Sequence, residues 1–204
     1  MKRAATIALL VIPALLWLAF ARLSRKSFPA ENTPEGAYAR IVLAISEGHP
    51  GDCFAYLETQ AQWATFTIRD YRTEAAALIA QHYPEPERSR ELSAYGAEAH
   101  LHEGPEVWIA LAERHGFLLR LRRDLSGVLR TEISGDRATV ETARGTRYAF
   151  RRRENGLWGL TMFTAELLAE SEKAARDLPL VRRAAQDYER AGHVQPAPSA
   201  ASPH

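Results

Sequence analysis

The chain has one cysteine, Cys53, in 204 residues. An intramolecular disulfide is therefore excluded, and the fold must be held by its core alone. No cysteine follows the apolar amino-terminal run within the first fifty residues, so acylation of a cysteine cannot attach the chain to a membrane. The sequence also lacks a GxSxG nucleophile elbow, a P-loop, a dinucleotide-binding glycine pattern and a paired zinc motif. Those are the spacings that would commit it to a particular hydrolytic, nucleotide or metal chemistry. No internal repeat is present, which excludes solenoids and propellers, and no cofactor is implied.

What is there is an ordinary globular composition, 46% hydrophobic and 25% charged. That is too apolar for disorder, and roughly 150 to 160 residues remain for one self-sufficient core once both ends are set aside. The amino terminus, MKRAATIALLVIPALLWLAFARLSRK, has a basic start at Lys2 and Arg3. An uncharged run from Ala4 to Ala21 follows, then a basic stop at Arg22, Arg25 and Lys26. At about 1.5 Å per residue the run approaches the thickness of a hydrocarbon core, with Pro13 as a tolerated kink and Trp17 near an interface. Residues 1–26 are read as a signal anchor that makes the lipid bilayer a partner and holds a single-pass protein with its domain outside the cytoplasm. The alternative is a signal peptide cleaved after Ala19-Phe20-Ala21, leaving a secreted or periplasmic protein.

Residues 27–32 form a tether, 33–191 a single domain and 192–204 a disordered tail of proline, alanine and serine. Thr33-Pro34-Glu35 starts a helix in which Tyr38, Ile41, Val42 and Ile45 share a face, and Gly48 to Gly51 ends it. Asp52 is placed as the cap of a next helix carrying Phe54, Leu57, Ala61, Ala64 and Ile68. A further helical face runs from Tyr71 to His82. A short helix is expected around residues 88–95, and another opens at Pro105 with Trp108, Leu111 and Ala112 inward. Residues 117–124 admit either helix or strand. From Val128 the period becomes two. Leu129, Thr131 and Ile133 form a half-buried strand, Ala138, Val140 and Thr142 a second, Tyr148 and Phe150 a third, and Trp158 with Leu160 a fourth. Turns fall at Gly135, Gly145 and Gly156. After Phe163 a helix returns, with a kink expected at Pro179, and either docks on the sheet or extends outward. The fold class is α+β, helices packed on an antiparallel meander.

The helical pair between Thr33 and Tyr83, followed by GDRATVET, GTRYAF and NGLWGL, resembles the cone-shaped superfamily related to nuclear transport factor two. That superfamily includes SnoaL-like polyketide cyclases and ketosteroid isomerases. The resemblance implies a cone-like fold, a hydrophobic interior and self-association through the sheet as a homodimer. None of the family's catalytic positions matches a residue here, and the helix after Phe163 departs from its pattern.

Charge is unevenly laid out. Residues 31–113 carry 14 acids and 5 bases, residues 114–153 only 4 acids and 11 bases. Arg130, Arg144, Arg147, Arg151, Arg152 and Arg153 are therefore candidates for an anion-binding face, against the plainer reading that they solvate the sheet and pair with acids. The compartment favours an envelope protein or anionic surface over nucleic acid. Trp63, Trp108, Tyr148, Phe150 and Trp158 either line a ligand pocket between helices and sheet or fill it. His100, His102 and Glu103, with Glu98 nearby, are the one cluster of metal-capable side chains. Lacking an evident third ligand, they read as a surface loop. Cys53 is read as buried rather than reactive. The function these features favour is a non-catalytic binding module of the cell envelope. The alternative is an isomerase- or cyclase-like enzyme using Asp52 or Asp70 as base.

Overall fold

The computed structural model describes residues 28–194; the expected anchor and the chain from residue 195 onward lie outside the described residues. No helix of the described residues is long and apolar enough to cross a membrane. α1 (Pro34–Ser46) starts as its sequence dictates. Extended Thr33 accepts a hydrogen bond from the Gly36 amide at 3.1 Å, and Pro34 occupies the first turn, where its missing N–H is no loss. The helix ends over left-handed Gly48, with the His49 N–H donating to the Ala44 carbonyl, the bond of a glycine C-cap. Tyr38, Ile41 and Ile45 are buried, and Val42 packs beside them.

The next segment differs from expectation. Pro50–Tyr56 is a 3-10 turn capped at His49, and Asp52 lies exposed inside it rather than at its start. The two helical faces expected up to His82 belong to one 24-residue helix, α2 (Thr59–His82). α3 (Glu87–Ala99), α4 (Gly104–Arg114) and α5 (Phe117–Asp124) follow. In α5 the pattern fits two periods, because Leu119 and Leu121 alternate with Arg120 and Arg122. The helix prevails by burying Phe117, Leu118 and Leu121 together, and it leaves Leu119 exposed.

The sheet is an antiparallel meander in chain order: β1 (Val128–Ser134), β2 (Arg137–Thr142), β3 (Arg147–Arg152) and β4 (Trp158–Leu160). Gly135, at φ +62°, and Asp136 close the first hairpin in two residues. A left-handed residue at the first central position gives the turn whose twist matches the strands. Ala138, Val140, Thr142, Tyr148, Phe150 and Leu160 are buried beneath the helices. β1 corrects the expectation of a half-buried strand. Thr131 and Ile133 pair with Val140 and Ala138 and so share their inner face, yet only Thr131 is partly covered. Ile133 is 58% exposed on that face, and Leu129, 66% exposed, is the extra residue at the register shift between Val128 and Arg130 and so falls out of the alternation.

At the centre of the main core, Phe117 and Phe163 stack with centroids 4.3 Å apart, and Trp108 packs on both. The indole N–H of Trp108 donates to the Pro50 carbonyl and that of Trp158 to the Asn32 carbonyl, each at 3.2 Å. Both tryptophans are thereby buried without an orphaned donor. α6 (Thr164–Val194) continues through Pro179 for 31 residues and absorbs the first positions expected of the tail. It lies along α2, not on the sheet. Ala75, Ile79 and Tyr83 meet Leu178, Val181 and Ala185 in a second core bordered by Leu92, Tyr95 and Tyr188.

Helices and sheet are fastened where α2 begins. Leu57 bridges Leu160 in parallel, and the Glu58 N–H donates to the Leu160 carbonyl at 3.1 Å. A Cβ on Gly159 would lie 2.5 Å from Glu58 Cα, a backbone contact that cannot swing aside. Gly159→Ala is therefore expected to lower stability by about 1–3 kcal/mol. Gly127→Ala, where a Cβ would meet nothing within 4 Å, should change it by less than about 0.5 kcal/mol. Urea unfolding midpoints of the two variants check this.

Candidate functional site

The space between helices and sheet is filled by four of the five aromatics considered for a pocket. Trp108, Tyr148, Phe150 and Trp158 are each at most 4% exposed. Trp63 is 68% exposed on the outer side of α2, so it lines no such space; its neighbours Ala61 and Ala64 face inward in its place. The rings of Tyr38 and Tyr148 lie 5.1 Å apart. Tyr38 donates to the Ser126 carbonyl at 2.8 Å, whereas the buried Tyr148 hydroxyl has no partner among the described residues. Burial pushes the Tyr148 phenol up to about 12, with the negative charge of Asp124 adding to it. Burial, reinforced by Asp52, likewise pushes the Cys53 thiol up to about 12. The thiol is sealed, with Sγ 3.9 Å from the Ile41 carbonyl oxygen. The acids considered as catalytic bases are not inside. Asp52 is exposed, and Asp70 is exposed and accepts two hydrogen bonds from Arg69, at 2.7 and 2.9 Å.

The outer face of the sheet carries Arg130, Glu132, Arg137, Thr139, Glu141, Arg147, Ala149 and Arg151, and no described element covers it. Its arginines are not an uncompensated positive patch. Arg130 pairs with Glu141 at 2.9 Å and Glu132 at 3.3 Å, and Arg147 with Glu132 at 3.3 Å. Arg151 lies 3.7 Å from buried Glu58 and 4.0 Å from Asp136. Arg144 donates to the Arg123 carbonyl at 2.5 Å, and Arg153 to the Ala55 carbonyl and Gln62 at 2.7 and 3.0 Å. The acids that answer the sheet's arginines stand mostly on the sheet itself. Arg152 is exposed on the same strand as Arg151. Acids and arginines are thus interleaved on this face, and their pairing offsets in part its excess of four arginines over two glutamates.

A second polar assembly escaped sequence reasoning. Arg72, 5% exposed, donates to Asp177 at 3.3 Å and Glu170 at 3.2 Å, both on α6. Its guanidinium also lies 4.6 Å above the ring of Tyr95 on α3. Arg114 on α4 pairs with Glu98, 1% exposed, at 2.7 Å and reaches Glu170 at 3.6 Å. Arg72, Tyr95, Arg114, Glu170 and Asp177, with His115 and Lys173, border an open pocket of about 470 Å³ at the junction of four helices. The missed signal is the stripe Ile68, Arg72, Ala75, Ala76 and Ile79, which places Arg72 on the buried face of α2. Because its charges answer one another, the assembly fastens helices. Glu98 belongs to it, so the metal-capable stretch divides: His100, His102 and Glu103 are exposed, and the described residues contain no group of three metal-capable side chains.

No protein-family profile matches the chain, and neither a curated protein nor a solved structure shows significant similarity to it.

Removing one partner of a buried ion pair strands the other, so Arg72→Ala should cost about 3–5 kcal/mol, while Arg72→Met with Glu170→Gln should recover much of the loss. Thermal unfolding of the single and double variants tests the fastening role. The thiol and phenol shifts set an alkaline limit. Cys53 rises from 9.0 and Tyr148 from 10.0, each to about 12. Below pH 9 both groups are protonated in either state, and their contribution is fully present. Above it the unfolded chain releases protons first, and stability falls until the folded groups titrate near 12. Melting temperature should therefore drop between pH 9 and 12, and Cys53→Ala should delay the onset of that drop.

Proposed function

We propose that this protein is a non-catalytic binding module of the cell envelope, held outside the cytoplasm by its amino-terminal segment. It engages another envelope protein through the uncovered face and free edge of its sheet. The observation that carries this reading is the contrast between the two sides of the sheet. The inner side is closed by Trp108, Tyr148, Phe150 and Trp158, while the outer side and the β1 edge present ordered charge and exposed apolar groups without a covering element among the described residues. An enzyme of the cyclase or isomerase kind needs a carboxylate facing an enclosed substrate, and Asp52 and Asp70 both face solvent.

Kinship with the cone-shaped superfamily belongs to the same proposal, supported by a helical layer set on one face of an in-order antiparallel meander. The internal pairing of Arg130, Arg147 and Arg151 favours a protein partner with alternating charge over a uniformly anionic lipid surface. A membrane tether would serve such a module by raising its effective concentration beside a partner in the same membrane.

In intact cells, a photo-reactive benzoylphenylalanine replacing exposed Ala149 on the outer face should give a discrete protein adduct, and the same group replacing Trp63 should not. The domain should also be digested by protease added to spheroplasts. Equal adducts at both positions, or a domain protected from external protease, would overturn the reading.

A further inference from the structure

The start of α2 holds a carboxylate that its own helix does not use. Glu58 stands at the N-cap, where an acidic side chain is ordinarily drawn to the free amides of the first turn, yet it makes no such bond. Its side chain is 6% exposed, and its one cation, Arg151, lies 3.7 Å away, too far for a hydrogen bond. No described residue donates a hydrogen bond to the carboxylate. The backbone decides where this side chain goes. Gly159 pairs with Arg151 across β4 and β3, so a Cβ there would share the outer face with Arg151, and it would strike Glu58 Cα at 2.5 Å. Glu58 therefore crosses the outer face at Gly159. Its carboxylate borders a depression of about 260 Å³, together with Arg137, Arg151, Thr139, Ala149 and Thr161.

The cations of this depression are also short of partners. Arg137 and Arg151 are directly opposed on β2 and β3, and like charges in that position repel. Arg151 divides its charge between Glu58 at 3.7 Å and Asp136 at 4.0 Å, whereas Arg137 has no acid within ion-pair range among the described residues. The Thr161 hydroxyl donates to the Ala149 carbonyl at 3.1 Å, which leaves its lone pairs to accept. Thr139 and Ala149 oppose each other, and their short side chains leave the floor low.

A simple anion placed here would leave Glu58 without a donor and be repelled by it; a simple cation would face two guanidinium groups. A ligand carrying both charges on neighbouring atoms answers every group at once. We propose that the depression binds the zwitterionic head of a free α-amino acid, its carboxylate held by Arg137 and Arg151 and its ammonium by Glu58 and the Thr161 hydroxyl. Guanidinium forks match a carboxylate in geometry as well as charge. The volume suits such a head and falls below that of sites enclosing drug-sized molecules, so the ligand's own side chain stays in solvent. The inference goes beyond the binding-module reading and does not depend on it.

The test is equilibrium dialysis of the full-length chain against labelled L-alanine. One alanine should bind per chain. L-alaninamide, which lacks the carboxylate, and N-acetyl-L-alanine, which lacks the ammonium, should each compete at least roughly tenfold more weakly than alanine itself. Glu58→Gln and Arg137→Ala should each weaken alanine at least roughly tenfold. Arg137→Ala strips no described residue of an ionic partner and should keep the melting temperature, so its loss of binding is not a loss of fold. No saturable uptake of alanine in the millimolar range, competition by N-acetylalanine or alaninamide equal to that of alanine, or undiminished binding by R137A would overturn the inference. The two readings fail separately. Alanine uptake without a protein adduct at Ala149 keeps the amino-acid site and removes the protein partner, and an adduct without alanine uptake does the reverse.

Discussion

The rest of the structure depends on the contact of two backbones at Gly159 and Glu58. A side chain on residue 159 would stand 2.5 Å from Glu58 Cα, so glycine alone lets β4 and the chain entering α2 lie close enough for the Leu57–Leu160 bridge and the Glu58–Leu160 hydrogen bond. This contact fixes the direction in which α2 leaves the sheet. It also occupies one edge of the sheet with a parallel neighbour, which makes β1 the edge left open. A helix of 24 residues extends about 36 Å, so an orientation set at Thr59 determines the position of the second core at its far end.

α2 serves two cores of different character. Near the sheet it contributes Ala61, Ala64 and Ile68 to an assembly dominated by large aromatics; farther along it offers Ala75 and Ile79 to α6. Between them stands Arg72. Its partners Glu170 and Asp177 are seven residues apart, which is two turns of α6 and hence one face. The planar guanidinium reaches both only when the helices sit in one register. Buried charge pairs add little net stability relative to apolar residues. The physical content of this cluster is that displacement of α6 by one turn would strand at least one charge. Arg114 and Glu98 extend the same constraint to α3 and α4.

Much of the architecture was legible in the sequence. The cap at Thr33, the stripe of α1, the strand positions from Ala138 to Leu160 and the glycine turns all obey local rules of spacing and backbone freedom. What could not be read was set by contacts distant along the chain. Pro50–Tyr56 has the apolar spacing of an α-helix, but Leu57 must reach Leu160, and the segment tightens into 3-10 form instead. Trp63 has the composition of a core residue, yet its position on α2 turns it outward while the smaller Ala61 and Ala64 pack inside. Leu129 and Ile133 alternate as a half-buried strand should; periodicity shows neither the register shift that takes Leu129 out of the alternation nor whether a neighbouring layer covers the face of Ile133. The Arg72 cluster joins residues 98 and 105 positions apart, and its one local sign was a charge lying on an apolar stripe.

Binding and catalysis place different demands on unsatisfied groups, and the proposed binding role rests on where such groups lie here. A reactive centre holds a desolvated polar group toward a space that a substrate can enter. Here the deeply buried charged groups Arg72, Glu98 and Glu58 each have an ionic partner, with Arg72 Nε and Glu98 Oε2 left without a hydrogen bond among the described residues, and the Tyr148 hydroxyl, also without one, is enclosed and held neutral through the physiological range. The apolar surface left in water lies largely elsewhere, with Val128, Leu129 and Ile133 gathered on one seven-residue strand. A lone exposed side chain such as Trp63 or Leu119 has no neighbours with which to form a patch, whereas these three are joined by backbone groups that need partners of their own. Covering that strand would bury apolar area and complete a hydrogen-bond ladder in the same step. For that reason its edge, rather than the filled interior, is where association has the most to gain.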